Sequence, residues 1–162
     1  MQEHPPTEFL ERVPIGQLVA ATRRRIKQAL WGHLQSDGLT PQQYWIIVML
    51  MEHGPHSLHE LATRVWVDDP TASRIVKALA ARGMVVSEPD PRHGRRIIIQ
   101  LAPGTEPLQK RVRAIAAKVR GAVELGLEGG EKAALRKALM KIIANMDALE
   151  EEGLSSPRPT HA

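Results

Sequence analysis

Three arginines share the turn-rich segment from Glu88 to Arg96 with two prolines and a glycine. They are Arg92, Arg95 and Arg96. A guanidinium group pairs with phosphate oxygens through two parallel hydrogen bonds, and arginines enter narrow minor grooves of DNA, where the negative potential is strongest. A solvated, charged hairpin that binds nothing has the same composition, so the surrounding elements decide between the two interpretations.

A second set of candidate DNA contacts precedes these arginines. The four residues lie on or near one polar face of a predicted helix, and they are Thr71, Ser73, Arg74 and Lys77. Short hydroxyl side chains approach base edges closely, whereas arginine and lysine reach bases or phosphates. An ordinary amphipathic helix with a polar outer face shows the same pattern.

Three histidines recur at every third position: His53, His56 and His59. A metal site needs three or four converging ligands, and the chain has no cysteine to complete a common zinc set. Because the histidines span a helix end, a turn and a new helix start, we expect surface histidines. A metal-responsive regulator using this cluster is kept as an alternative.

Most of the aromatic residues lie near the first two predicted helices. Together with one histidine they form a candidate ligand pocket of Trp31, His33, Tyr44 and Trp45. An apolar wall with a few polar tips fits a small aromatic or carboxylate effector, although core packing explains the same residues equally well.

The charge is distributed unevenly along the 162 residues. Residues 1–120 hold 17 basic and 11 acidic side chains, whereas residues 121–162 hold five and seven. The net positive charge of residues 1–120 favours nucleic acid as a partner. Aromatic residues make up only 3%, too few for the stacking platforms of single-strand and RNA readers, so we expect duplex DNA.

Several functional classes lack their signatures. The absence of cysteine excludes disulfide scaffolds, thiolate metal sites, cysteine nucleophiles and thiol redox sensing. Without a phosphate-binding glycine loop, a dinucleotide fingerprint or a serine nucleophile elbow, neither enzymatic activity nor a cofactor is expected. No signal peptide or membrane-spanning apolar run is visible, which predicts a cytoplasmic location.

Local start and stop signals place the candidate contacts on short helices. A first helix is predicted from about Ile15 to Leu34, and a capping box at Thr40–Gln43 opens a second that stops at Gly54-Pro55. Another capping box, Ser57–Glu60, opens a third that reaches about Val65.

The next helix is predicted to begin at Asp69-Pro70, with the Asp69 carboxylate as its cap, and to end at Gly83. Two short helices joined by a few residues have the size of a helix-turn-helix. Strand-like residues follow at Met84–Ser87 and Arg96–Leu101. A hairpin with a basic tip after a helix-turn-helix is a winged helix.

Two long helices complete the chain. The first begins near Thr105 and the second follows Gly129-Gly130. Apolar residues recur in both at alternating three- and four-residue steps: Leu108, Val112, Ile115, Val119 and Val123, then Leu135, Leu139, Ile142, Met146 and Leu149. These coiled-coil-like seams predict packing against the first helix and a second protomer.

The predicted fold is mainly α with a small β-hairpin wing. It divides the chain into a flexible N-terminal arm (1–13), a dimerisation helix (14–39), a winged helix-turn-helix DNA-binding lobe (40–102), C-terminal dimerisation helices (103–152) and a flexible tail (153–162).

The stretch LHELATRVWVDDPTASRIVKALAARGMVVSEPDPRHGRRIIIQL resembles the winged-helix core of MarR-family transcriptional regulators. The resemblance implies a homodimer on pseudo-palindromic DNA, with one recognition helix per protomer in the major groove and one wing in the minor groove. It also implies a repressor that a small, often phenolic, ligand releases.

Carried over from that resemblance, Thr71, Ser73, Arg74 and Lys77 match the recognition-helix face, and Arg95 matches the wing arginine. Two positions depart from the family pattern. His93 replaces the acidic residue that usually supports the wing arginine, and Ala102 replaces the threonine that usually ends the strand. We therefore expect a sequence-specific regulator of transcription, with a winged-helix protein-interaction module as the competing interpretation.

Overall fold

The computed structural model describes residues 6–91 and 93–155, and within them the chain forms seven α-helices and one antiparallel β-hairpin. The elements are α1 (Thr7–Leu10), α2 (Ile15–Leu34), α3 (Pro41–His53), α4 (Leu58–Arg64), α5 (Asp69–Ala81), β1 (Val85–Asp90), β2 (His93–Leu101), α6 (Glu106–Glu124) and α7 (Gly129–Ser155). A single 3-10 turn, Gln35–Asp37, follows α2 directly. The predicted winged helix-turn-helix architecture is confirmed.

Both predicted capping boxes are present. Thr40 Oγ1 accepts the Gln43 N–H at 3.2 Å, and Gln43 Oε1 accepts the Thr40 N–H at 2.9 Å. Ser57 and Glu60 exchange the equivalent bonds before α4, at 3.3 and 2.9 Å. Each box satisfies two amides that a helix start leaves without intrahelical partners, which explains why α3 and α4 begin where the sequence predicts.

The start of α5 corrects one prediction, because its cap is Asp68 and not Asp69. Asp68 Oδ1 accepts the Thr71 N–H at 2.6 Å. Asp69 is the first residue of the helix. The Ala72 N–H, which an Asp69 cap would have satisfied, already donates to the Asp68 carbonyl at 2.9 Å.

The apolar seam between α4 and α5 is buried as predicted. Its buried members are Leu61, Ala62, Ile75, Val76 and Leu79, and Val65 is partly buried against them. Burial of these side chains holds the two helices at a fixed angle, with the polar face of α5 directed outward.

The wing strands are longer than predicted. They pair from Val85 with Leu101 to Pro89 with Ile97, so most of the segment interpreted as a turn belongs to the ladder. A two-stranded sheet leaves one side of each strand unpaired, which allows Pro89 to lie in β1 without losing a ladder bond. A bulge follows Pro89.

The root of the wing is attached to the loop before α4. The His56 N–H donates to the Ile99 carbonyl at 3.1 Å, and the Ile99 N–H donates back at 2.7 Å. Since Ile99 is 3% exposed, this bridge ties the C-terminal part of β2 to the core of the lobe.

The chain separates into two compact units, one reaching to Val123 and the other starting at Glu124. In the first, Leu108 and Val112 of α6 and Leu30 and Leu34 of α2 join the core. In the second, four of the predicted α7 seam residues are exposed: Leu135, Leu139, Met146 and Leu149. None of the described helices is both long and apolar enough to span a bilayer.

Candidate nucleic-acid interface

The outer face of α5 carries the four residues predicted to contact DNA. Arg74 and Lys77 are exposed, and Thr71 and Ser73 are partly buried at the helix start. Arg74 Nη2 donates to Thr71 Oγ1 at 3.0 Å, and Arg74 Nε donates to the Pro70 carbonyl at 3.4 Å. The guanidinium is therefore held beside the N-terminal turn of α5, the end that a recognition helix presents to bases.

Two carboxylates border this surface, and both have structural partners. Hydrogen bonding to Thr71 lowers the pKa of Asp68. Asp69 lies 3.2 Å from His59 Nδ1 through both of its oxygens, which links the start of α5 to α4. Both contacts account for acidic residues beside a surface that is expected to meet phosphates.

Of the three wing arginines, the structure describes the side chain of Arg96 alone. Arg92 lies outside the described residues, and of Arg95 only the backbone, within β2, is described. Arg96 pairs with Glu60 on α4, and its Nε lies 4.0 Å from Asp90 Oδ2. The predicted role of all three as DNA contacts stays a prediction, and for Arg96 the ion pair provides a second role, which is to fix the wing against α4.

Glu60 joins the capping box to the wing. One oxygen, Oε2, accepts the Ser57 N–H and the Ser57 hydroxyl, each at 2.9 Å, and also accepts from Arg96. These bonds, led by that of Arg96, lower the pKa of Glu60 to about 2. Sequence reasoning identified Glu60 as a cap only, because the pairing with Arg96 crosses 36 residues of chain.

A second polar cluster, which the sequence analysis missed, surrounds the 3-10 turn. Arg82, at the end of α5, donates to the carbonyls of Asp37 and Gly38, each at 2.7 Å. Arg111 of α6 donates to Asp37 Oδ1 at 2.6 Å, and the Asp37 side chain is 8% exposed. The end of α5 and the first half of α6 are thus joined through one loop.

The three histidines have different surroundings. His56 is 7% exposed and its Nδ1 lies 2.8 Å from the Gly54 carbonyl, His59 contacts Asp69, and the rings of His53 and His56 are 6.4 Å apart. The expectation of surface histidines is therefore wrong for His56, whose backbone bridge to the wing buries it. Across residues 6–91 and 93–155, no group of three or more histidine, aspartate or glutamate residues is arranged to hold a metal ion.

The aromatic candidates divide between core and surface. Tyr44 is 1% exposed and packs edge-to-face on Trp45, with ring centroids 5.0 Å apart. Burial raises the pKa of Tyr44, Glu52 adds to the rise, and Arg120 opposes it. Trp31 and Trp45 are each nearly half exposed, and His33 is exposed. Their role as a ligand pocket stays a prediction.

Comparison with known proteins places this geometry in a family. The sequence profile of the MarR family matches residues 37–96, which span α3 to the wing. The HTH-type transcriptional repressor NicR of Pseudomonas putida is 32% identical over 141 residues, covering 87% of this chain and 88% of NicR.

Two solved structures extend the similarity to the fold. The transcriptional regulator PA3341 has a TM-score of 0.76 and 30% identity, with 83% of this chain and 99% of PA3341 covered. BpsR of Bordetella bronchiseptica, whose DNA binding is regulated by 6-hydroxynicotinic acid, has a TM-score of 0.68 and 22% identity, with 80% and 92% covered. The chain belongs to the MarR family of transcriptional regulators.

Proposed function

We propose that the protein is a homodimeric repressor that binds pseudo-palindromic duplex DNA. The observation that carries this proposal is the exposed face of α5, with Arg74 positioned at its N-terminal turn and the hairpin of β1 and β2 held beside α4. Each protomer would insert α5 into the major groove and the wing into the adjacent minor groove. NicR, named as a repressor, supports the direction of regulation.

The proposal assigns a task to each part of the chain. Residues 40–102 form the DNA-binding lobe, and the helices within 14–39 and 103–152 form the dimer interface. Residues 1–13 and 153–162 flank these parts as arm and tail. The two-fold symmetry of such a dimer matches two half-sites of a palindrome. A cytoplasmic location, with access to DNA, is part of this proposal.

Selection of bound genomic fragments, followed by fluorescence anisotropy, tests DNA binding. Arg95→Ala should weaken binding to a selected fragment and reduce the slope of log affinity against log salt by about one.

Arg74→Ala should lower the ratio of specific to non-specific affinity by about tenfold, which is the effect of losing one base contact. Arg12→Ala, which removes an exposed arginine outside both the DNA-binding lobe and the dimerisation helices, is the matched control.

If the wild-type protein shows no affinity for duplex DNA even at low salt, the proposal is contradicted. Basic DNA-binding proteins keep their non-specific binding at low salt. That result would favour a winged-helix protein-interaction module. An affinity that EDTA abolishes would instead favour the metal-responsive alternative with His53, His56 and His59.

We infer that the effector is a small hydroxylated aromatic carboxylate. BpsR responds to 6-hydroxynicotinic acid, which belongs to this class. Here the candidate pocket of Trp31, His33, Tyr44 and Trp45 supplies ring surfaces, and Arg120 lies close enough to Tyr44 to affect its pKa. Arg120 also contacts Glu52 at 3.4 Å, so a carboxylate ligand would compete for this arginine and disturb the α3–α6 contact.

Titration of the protein–DNA complex with 6-hydroxynicotinic acid tests the effector class. We expect release of the DNA, because a ligand that favours the non-binding conformation shifts the population towards it. The amide analogue, 6-hydroxynicotinamide, should release less, and Arg120→Gln should raise the concentration of acid required. Equal responses to acid and amide would contradict a carboxylate-reading site.

A further inference from the structure

Trp66 lies in the turn of the helix-turn-helix and has an unusual backbone. Its φ is +58°, and among the described residues it is the one non-glycine residue with a positive φ. L-amino acids with a bulky side chain are strained in this left-handed region, which glycine and asparagine occupy at little cost.

The hydrogen bonds of the turn explain the backbone conformation but not the choice of tryptophan. After α4 ends, the Val67 N–H donates to the Ala62 carbonyl at 3.0 Å, and the Trp66 N–H donates to the Thr63 carbonyl at 3.3 Å. Such a helix-terminating turn needs one residue in the left-handed region, and that residue is usually glycine. A glycine at position 66 would make the same backbone bonds without strain.

Packing does not explain tryptophan either. The residue is 68% exposed, so its indole does not fill the core between α4 and α5. Persistent backbone strain is concentrated at functional sites, where the side chain is needed for something other than stability. Strain together with exposure therefore indicates a contact that forms only in a complex.

The position of the turn identifies the partner. In a helix-turn-helix, the first helix crosses the DNA backbone and the second enters the groove by its N-terminus. Trp66 lies between them, two residues before Asp68, the cap of α5. The indole N–H is a donor only, and phosphate oxygens are acceptors, while the flat ring can cover a deoxyribose.

We propose that Trp66 is a DNA-backbone contact, with its Nε1–H donated to a phosphate and its ring against the adjacent sugar. The inference rests on the DNA-binding function proposed above and adds a neutral residue to its cationic contacts. Because Trp66 carries no charge, its contribution releases no counterion, and this separates it experimentally from the arginines.

Two variants, Trp66→Gly and Trp66→Asn, test the proposal in the full-length protein. Both residues tolerate a positive φ, so we expect the melting temperature to rise by about 2–4 °C. The affinity for a selected genomic fragment should fall by about tenfold, with an unchanged salt slope. Asparagine controls for the added flexibility of glycine.

Fluorescence gives a second readout without altering Trp66. The chain has three tryptophans, so Trp31→Phe combined with Trp45→Phe leaves Trp66 as the reporter. We expect saturating DNA to protect its emission from acrylamide quenching.

Wild-type affinity in both folded variants, or unchanged quenching on DNA, would overturn the proposal. A lowered melting temperature in both variants would also overturn it, because Trp66 would then be a structural residue. If the wild-type protein binds no DNA, the proposed function itself fails.

Discussion

Glu60 is a residue whose two tasks can be separated by substitution. Its carboxylate caps α4 through Ser57 and pairs with Arg96 of the wing. Glu60→Gln keeps an acceptor for the Ser57 N–H but removes the charge. At neutral pH we expect a loss of about 0.5–1 kcal/mol of unfolding free energy, because the pair is partly exposed and screened by solvent.

The pH dependence of that loss follows from the pKa of Glu60, which falls from 4.5 to about 2 on folding. A lowered carboxyl pKa stabilises the folded state fully above 4.5, and this contribution is lost as the pH falls towards 2. Urea unfolding across this range should show the two proteins converging in stability. In an Arg96→Gln background, the pH-dependent effect of Glu60→Gln should be smaller, because only the bonds from Ser57 still favour the carboxylate. An undiminished effect there would exclude the ion pair as the main cause.

The wing arginines show what sequence can and cannot resolve at this scale. Arg92, Arg95 and Arg96 are chemically identical and lie within five residues, so the sequence predicts one shared role for them. The pairing of Arg96 with Glu60 depends on how the hairpin returns to α4, a contact between distant parts of the chain. The left-handed backbone of Trp66 is likewise a property of the folded turn, and no local sequence pattern signals it.

Helix starts are the elements that the sequence predicts best, since a capping box is made within four consecutive residues. The start of α5 is harder to predict to the residue, because Asp68 and Asp69 are consecutive and either carboxylate could cap a helix. Asp68→Ala should lower the free energy of unfolding by leaving the Thr71 N–H without its cap. Asp69→Ala is the matched control and should cost less, because Asp69 caps no helix amide and its partner His59 is exposed. Equal losses in thermal or urea unfolding would refute this assignment of the cap.

Elements that depend on distant partners were predicted less well. The sequence predicts too short a β1, because proline and aspartate are local signals for a turn. In the structure, the pairing of β1 with β2 continues through Pro89 and Asp90. The junction at Asp37 connects residues 44 to 74 positions apart, and no local pattern marks it. Because Arg82 and Arg111 both donate to this loop, α6 is connected through it to the end of α5.

At the scale of the whole molecule, the exposed side of α7 is the main feature left without a function in one protomer. Leu135 is 47% exposed, Met146 53% and Leu149 59%, and with Leu139 they recur at the three- and four-residue steps of a helix-packing seam. A row of this kind is costly to leave in water, and in the dimer proposed above a second copy of the chain would cover it.

Leu139→Glu tests this seam, because a carboxylate at a buried interface would be desolvated without a partner in both protomers at once. We expect a weakening of association by about 2 kcal/mol or more per protomer, as for other central interface residues. Light scattering after size exclusion should then show a mass near the 18.0 kDa of one chain. Affinity for a palindromic fragment should fall with it, since two linked half-sites bind far more tightly than one. Ala144→Glu, which adds the same charge on another face of α7, should leave both measurements unchanged. A Leu139→Glu protein that remains dimeric and binds the palindrome normally would place the dimer contact elsewhere in the chain.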